Sequence, residues 1–266
     1  MPLNGIVRNK YKLMAIIIVA YLLTDMVLHK GLVRVLIHKA FPDYKISAGF
    51  PGNKNKLINS DKEWLKAVDT RAGIEAVKSN TPGLECDVYF NREKNRFDIH
   101  HDADNSTGFY LDDLLEVYRQ KELKASIWLD FKNLNDSNGG QALNALLELR
   151  NKFGLNDKLL VESFHAGLLK QFSDSGFYTA YYTPMFNPYF CSDDSLKHWV
   201  DQLREVIDHS SVNALSGYYF QYPFLHHYFP NFPILIWCPH DKFSLVNWWY
   251  KRSIANSNAV FIALYP

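Results

Sequence analysis

The sequence predicts an α/β protein, a (β/α)8 TIM barrel preceded by an N-terminal membrane-anchor helix. Three observations carry this. Eight short β-type apolar runs recur along the chain, amphipathic helical patterns lie between most of them, and one long apolar run stands near the N-terminus. Strands alternating with helices imply a parallel sheet with right-handed crossovers. Eight such units in about 220 residues match the size of a closed barrel. A doubly wound open sheet is the alternative, but no Gly-rich phosphate loop follows the first run to favour it.

The elements follow in order. Arg8, Lys10 and Lys12 precede LMAIIIVAYLL, which Thr24 and Asp25 interrupt before MVL. An apolar run of that length suits a signal-type segment. No small-x-small cleavage site follows it. Residues 1–42 are therefore read as a cytoplasmic tail and an uncleaved signal anchor, extended by GLVRVLI at the membrane. A buried N-terminal helix is the competing reading. A short basic N-terminus that stays inside places the barrel outside the cytoplasm, on the periplasmic or extracellular side. Residues 43–62, rich in Gly, Asn and Lys, read as a linker, and residues 63–266 as the barrel.

Within the barrel the runs are WLKAV (64–68), GLECDVYF (83–90), SIWLDFK (126–132), KLLVESF (158–164), YTAYY (178–182), NALSGYYF (213–220), PILIWC (233–238) and AVFIALY (259–265). Helical patterns such as YLDDLLEVYRQKEL, GQALNALLELRNKF and DSLKHWVDQLREVI separate them. The composition excludes other classes. Apolar residues make up 47% of the 266, ample for a core, and a net charge of +1 gives no case for nucleic-acid binding. Cys86, Cys191 and Cys238 are too scattered for a zinc site or a disulfide framework.

Chemistry in such barrels sits where strands end and βα loops begin. Glu85 and Asp87 alternate along the second strand, so their carboxylates share a face and repel unless a cation lies between them. A wet sheet edge is the bland alternative. Other reactive groups gather at strand ends: His100, His101 and Asp102 after a short NREKN turn, Asp130 and Lys132 on the third strand, and Glu162 on the fourth. Tyr181, Tyr182, Tyr218, Tyr219 and Trp237 offer aromatic walls. Three carboxylates, Glu85, Asp87 and Asp130, suit a hard divalent cation, Ca²⁺ or Mg²⁺, with an anionic phosphate completing its shell. Lys132 is then a second cation for that phosphate, and a nearby histidine transfers protons. His100 is expected to face away from His101, and Glu162 serves either the site or the cap of the next helix. The remaining histidines read as surface or packing residues.

Glu85-x-Asp87, His101-Asp102 after the hairpin, Asp130-x-Lys132, the ESF stretch, Tyr-Tyr-x-Pro, Trp237 and the terminal YP together resemble the glycerophosphodiester phosphodiesterase-like family of phospholipase C-like barrels, over residues 60–266. The resemblance implies a metal-bound phosphodiester, attacked by an adjacent substrate hydroxyl to give a cyclic phosphate that water then opens, with two histidines as base and acid. Only His101 carries over. Lys66 stands where the family has its first-strand histidine, and Asp130 replaces the more usual Glu. Lys66 could act as a general base beside the cation or stay protonated and bind phosphate. Catalytic roles thus fall to His101, Lys66 and Lys132, and substrate contacts to Tyr182, Tyr218 and Trp237.

The function expected is a membrane-anchored, metal-dependent phosphodiesterase acting on a lipid-derived or envelope glycerophosphodiester. One alternative is a pseudoenzyme binding a phosphorylated glycolipid or polysaccharide. Another is a metal-free glycoside hydrolase, against which the same-strand Glu85-x-Asp87 spacing speaks.

Overall fold

The computed structural model describes residues 4–29, 40–44, 55–238, 248, 252, 254–258 and 260–265, with side chains described from residue 9 to 25 of the first helix. Helix α1, Asn4–His29, precedes an α/β barrel. Its strands are β1 (Glu63–Leu65), β2 (Gly83–Asn91), β3 (Arg96–Ile99), β4 (Ser126–Phe131), β5 (Leu159–Ser163), β6 (Tyr178–Tyr182), β7 (Ala214–Tyr218), β8 (Ile234–Trp237) and β9 (Val260–Tyr265). The order β1-β9-β8-β7-β6-β5-β4-β2 closes on itself through a β1–β2 pairing, and every one of these pairs is parallel. Closure leaves none of these eight strands with an open edge. Strand β3 stands outside the ring. It pairs antiparallel with the far half of β2, where that strand overshoots the rim.

The alternation of side chains divides the core in two. Residues pointing outward, such as Leu84, Cys86, Val88, Ile127, Leu129 and Val161, join the larger core under the helices. Those pointing inward, Trp64, Trp128, Leu160, Tyr178, Ala180, Ala214, Leu235, Ile262 and Leu264, fill the lower barrel. The period-2 geometry of a strand forces this partition. It also places every inward side chain above the apolar plug at the mouth. Among the described residues the further helices with given bounds are α2 (Arg71–Ala76), α3 (Leu111–Gln120), α4 (Gly139–Phe153), α5 (Ala166–Asp174), α6 (Asp193–Ser210) and α7 (Tyr222–Tyr228). The start of α2 is held by Thr70, whose hydroxyl accepts the Gly73 N–H at 3.0 Å.

The expected strand at 64–68 stops early. Ala67 takes a left-handed φ of 58°, a conformation that costs a non-glycine residue about 1–2 kcal/mol and turns the chain toward α2.

The anchor expected over residues 1–42 is overturned. Helix α1 has 26 residues, but Arg8, Lys10 and Lys12 precede its apolar run and Asp25 follows it. The charge-free stretch from Leu13 to Thr24 rises about 18 Å at 1.5 Å per residue, against about 30 Å of hydrocarbon. Among the described residues no helix is long and apolar enough to cross a membrane. The single-pass anchor, the membrane partnership and the placement of the barrel outside the cytoplasm fall with it. Residues 9–24 of α1 are instead exposed, so the competing buried-helix reading fails there as well. The GLVRVLI segment, residues 45–54 of the expected linker and, apart from residue 248, the NWWY stretch at 247–250, whose sequence reads as the packing face of the final helix, lie outside the described residues. Residues 55–62 run along the barrel floor, where Asn55 donates to the Phe177 carbonyl at 2.7 Å and Asn59 to the Phe261 carbonyl at 2.9 Å.

Gly83 opens β2 directly against the Trp64 indole. A Cβ there would lie 2.0 Å from an indole carbon. Gly83→Ala is therefore expected to destabilise the fold by about 3 kcal/mol, read as a lower urea midpoint. Trp64→Leu in the same chain should recover part of that loss.

Candidate functional site

Strand parity and register bring the reactive side chains to one end of the barrel. On β2, Glu85 and Asp87 point inward because Leu84, Cys86 and Val88 point out to the helices. Asp87 pairs in register with Asp130 of β4, which pairs with Glu162 of β5. The three carboxylates thus form one row across three adjacent strands, and Glu85 lies one layer below. All four are buried.

Glu85, Asp87 and Asp130 each offer a carboxylate oxygen, and the three oxygens lie within 4.8 Å of one another. Lys132, two residues beyond Asp130 on the same face, donates to Asp87 Oδ1 at 2.7 Å and also to Asp130 Oδ2. Burial works against charge on Lys132, but the Asp130 and Asp87 carboxylates outweigh it and push its pKa up. Burial, reinforced by the charges of Asp87 and Asp130, holds Glu85 well above the ordinary carboxylate range. Asp130 is raised too, chiefly by burial, although Lys132 opposes the rise. One lysine therefore does not neutralise the cluster.

The loop that follows β1 supports these groups. The strained Ala67 donates its N–H to Glu85 Oε2 at 2.7 Å. Two residues on, Asp69 accepts the Asp87 N–H at 2.9 Å. Burial and the Asp87 charge raise the Asp69 carboxyl to about 6. Sequence reasoning missed Asp69. Its only signal was a carboxylate three residues after Lys66, in the loop where the first strand hands over to its helix.

Lys66 does reach the mouth. Its Nζ donates to the Cys238 carbonyl at 3.3 Å and lies 5.1 Å from the centre of the Trp237 ring. Both are contacts that a cation makes. His101 sits at the rim, mostly exposed, with Nδ1 2.9 Å from Asp102 Oδ1. That bond assigns the proton to Nδ1 and leaves Nε2 as the basic atom. His100 turns the other way, buried and stacked on Tyr89 with ring centres 4.2 Å apart.

These groups surround a cavity of about 120 Å³, lined by Lys66, Glu85, Asp87, His101, Asp130 and Lys132, with Glu162, Tyr182, Trp237 and Leu264 completing the wall. Of the residues expected there, Tyr218 is not on the wall. Its ring packs edge-on against Trp237, 4.4 Å between centres, and backs that indole. Glu162 is on the wall, and the Trp128 indole N–H donates to its Oε2 at 2.9 Å. Burial and the neighbouring Asp130 charge raise the Glu162 carboxyl to about 8, while Ser216 and Trp128 oppose the rise. A larger, open cleft at the opposite end, between Lys62, Pro230 and Phe261, carries none of this chemistry.

No family model matches the chain, and no curated protein matches it. Solved structures do. A candidate glycerophosphodiester phosphodiesterase from Galdieria sulphuraria superposes with a TM-score of 0.54 at 14% identity, covering 78% of this chain and 94% of its own. A glycerophosphodiester phosphodiesterase from Parabacteroides distasonis gives 0.52 at 12% identity, covering 77% and 92%. A phosphodiesterase from Oleispira antarctica, solved with its product sn-glycerol-3-phosphate, gives 0.51 at 14% identity, covering 76% and 92%. The chain has a glycerophosphodiester phosphodiesterase-like fold.

Proposed function

We propose that this protein is a metal-dependent phosphodiesterase acting on a glycerophosphodiester-like substrate. The observation that carries the reading is the buried trio Glu85, Asp87 and Asp130 at the barrel mouth, excess negative charge beside two lysines and a rim histidine. The donor set fits a hard divalent cation, Ca²⁺ or Mg²⁺. Oxygens bound to one Ca²⁺ at about 2.4 Å lie no more than about 4.8 Å apart, and the three oxygens here lie within that distance of one another. The shared fold supports the substrate class, since the Oleispira phosphodiesterase holds sn-glycerol-3-phosphate.

Glu85, Asp87 and Asp130 would hold the ion, which supplies charge neutralisation to a phosphodiester and its pentavalent transition state. Lys132 and Lys66 bind the non-bridging phosphate oxygens from two sides. His101 Nε2 accepts a proton from the attacking hydroxyl or returns one to the leaving alcohol, with Asp102 holding the ring. The Trp237 indole, backed by Tyr218, and Tyr182 wall off the alcohol. A second reading rests on one observation: Lys66 makes cationic contacts where the resembling enzymes carry a histidine. With only one rim histidine the protein would bind the phosphodiester and turn it over slowly or not at all.

Three outcomes test this. In a ³¹P NMR time course with glycerophosphodiesters and lysophospholipids, the diester signal should decay with Ca²⁺ or Mg²⁺ and persist in EDTA. His101→Ala should slow that decay by about 100-fold or more. A folded protein that turns nothing over favours the binding reading.

Lys66→His should raise the turnover rate in the same assay, and an unchanged rate would remove this position from the chemistry.

The third outcome concerns stability. Because folding raises the pKa of Glu85, Asp130, Asp69 (to about 6) and Glu162 (to about 8), the folded chain binds more protons than the unfolded one. The stability this cluster contributes is complete below the ordinary carboxylate range and is lost as pH rises toward about 8. Metal ligands must be deprotonated, so Ca²⁺ should offset the loss most at high pH. Scanning calorimetry at one fixed Ca²⁺ concentration, 100-fold the dissociation constant at pH 8, should show the midpoint raised by about 5–10 °C at pH 8 and by less at pH 5. Equal midpoints in Ca²⁺ and EDTA at pH 8 would reject the metal site.

A further inference from the structure

His100 is a buried histidine that no step at the mouth uses. Its ring lies flat on Tyr89 of β2, with 4.2 Å between centres and 4° between planes, and its backbone N–H donates to the Asp87 carbonyl at 3.2 Å. Its Nδ1 is 2.7 Å from the Asp102 carbonyl oxygen. A carbonyl only accepts, so His100 carries a proton on Nδ1 and donates it there. Asp102 in turn holds His101 through its side chain, Oδ1 to Nδ1 at 2.9 Å. The Tyr89 hydroxyl donates to the His101 carbonyl at 3.3 Å. Further along the same loop, the Ser106 hydroxyl donates to Asp98 of β3. Residues 101–108 are all exposed, and the His101 side chain is 74% exposed. Apolar packing therefore does not fix this loop, and ordering each backbone residue costs about 1–2 kcal/mol. Polar ties hold it instead, and the Tyr89–His100 pair supplies one to each of two consecutive carbonyls, those of His101 and Asp102.

From this geometry we infer that His100 is the positioning residue for proton transfer at His101, with Tyr89 as its support. The inference rests on the phosphodiesterase reading of the mouth and adds to it the group that sets the cavity histidine. The chain of contacts is short. His100 pins the Asp102 backbone, and the Asp102 carboxylate fixes the His101 ring against the cavity it lines. Tyr89 holds the carbonyl between them, which keeps the rim dipeptide from swinging about its own backbone. An imidazole suits this post. It is flat enough to stack on Tyr89 and still presents a donor at its edge, and burial keeps water from competing with it. His100 touches no reacting atom in this arrangement. It acts through Asp102, and a reacting group misplaced by about 1 Å loses up to about 100-fold in rate.

The test is a double-mutant cycle on the full chain, read by ³¹P NMR with the same glycerophosphodiesters in Ca²⁺. His100→Leu should lower kcat by about 10- to 100-fold with KM within about two-fold of the wild type. His100→Asn keeps an N–H donor where Nδ1 stood and should recover most of that loss. Tyr89→Phe removes only the hydroxyl, should lower kcat by about three- to ten-fold, and serves if the leucine variant does not fold. In a His101→Ala background, neither His100→Leu nor Tyr89→Phe should slow the residual rate further, because the group they position is gone. Equal slowing in both backgrounds, or an unchanged kcat in the folded variants, overturns the positioning role and leaves the phosphodiesterase reading standing. His100→Asn as slow as His100→Leu overturns it in the same way. A wild type that turns over none of the diesters overturns the phosphodiesterase reading and this inference together.

Discussion

The mouth of this barrel depends on one unfavourable arrangement, buried carboxylates with too little positive charge among them. Lys132 bridges Asp87 and Asp130, yet Glu85 and Asp130 are still held above the ordinary carboxylate range by burial. Surface ion pairs contribute little to stability, and a buried charge must be matched or it is not kept. The surrounding construction compensates in part. The Ala67 and Asp87 amides are each spent on a carboxylate, Glu85 and Asp69 respectively. Ala67, which makes the first of those bonds, has a left-handed backbone. Strain of that kind persists where the neighbouring structure over-determines it, and here it stands beside the reactive groups.

The barrel makes the concentration of charge possible by separating two demands. Outward positions carry the packing against helices, and inward positions below the mouth are closed by Trp64, Trp128, Tyr178 and their neighbours. Stability therefore rests on parts of each strand that chemistry does not use. Trp128 serves both sides of the division. Its rings fill the plug while its N–H reaches up one layer to fix Glu162. His100 and His101 divide in the same way: one stacks into the hairpin on Tyr89 and the other is left at the rim.

The N-terminal helix belongs to a different physical problem. Its apolar run is long enough to suggest a membrane segment and too short to be one, because charged residues set the usable length. Hydropathy of a run is read from composition, but spanning is a matter of distance, and the charge-free stretch falls roughly 12 Å short of the hydrocarbon thickness.

The period-2 runs and the helices between them were legible because backbone geometry alone sets both periodicities. The same alternation placed Glu85 with Asp87 and Asp130 with Lys132 on shared faces, so most of the candidate site could be named in advance. Closure and register were not in the pattern. Which carboxylates meet depends on the cross-strand alignment of Asp87, Asp130 and Glu162, and hydrogen bonding between distant strands has no local signature. Asp69 joins the site only because a left-handed turn at Ala67 brings it back to β2. Tyr218 leaves the wall only because Trp237 stands in front of it. Local chemistry thus determined the elements and their reactive faces, while the tertiary structure decided which groups share a cavity, since only three-dimensional packing sets distance and burial.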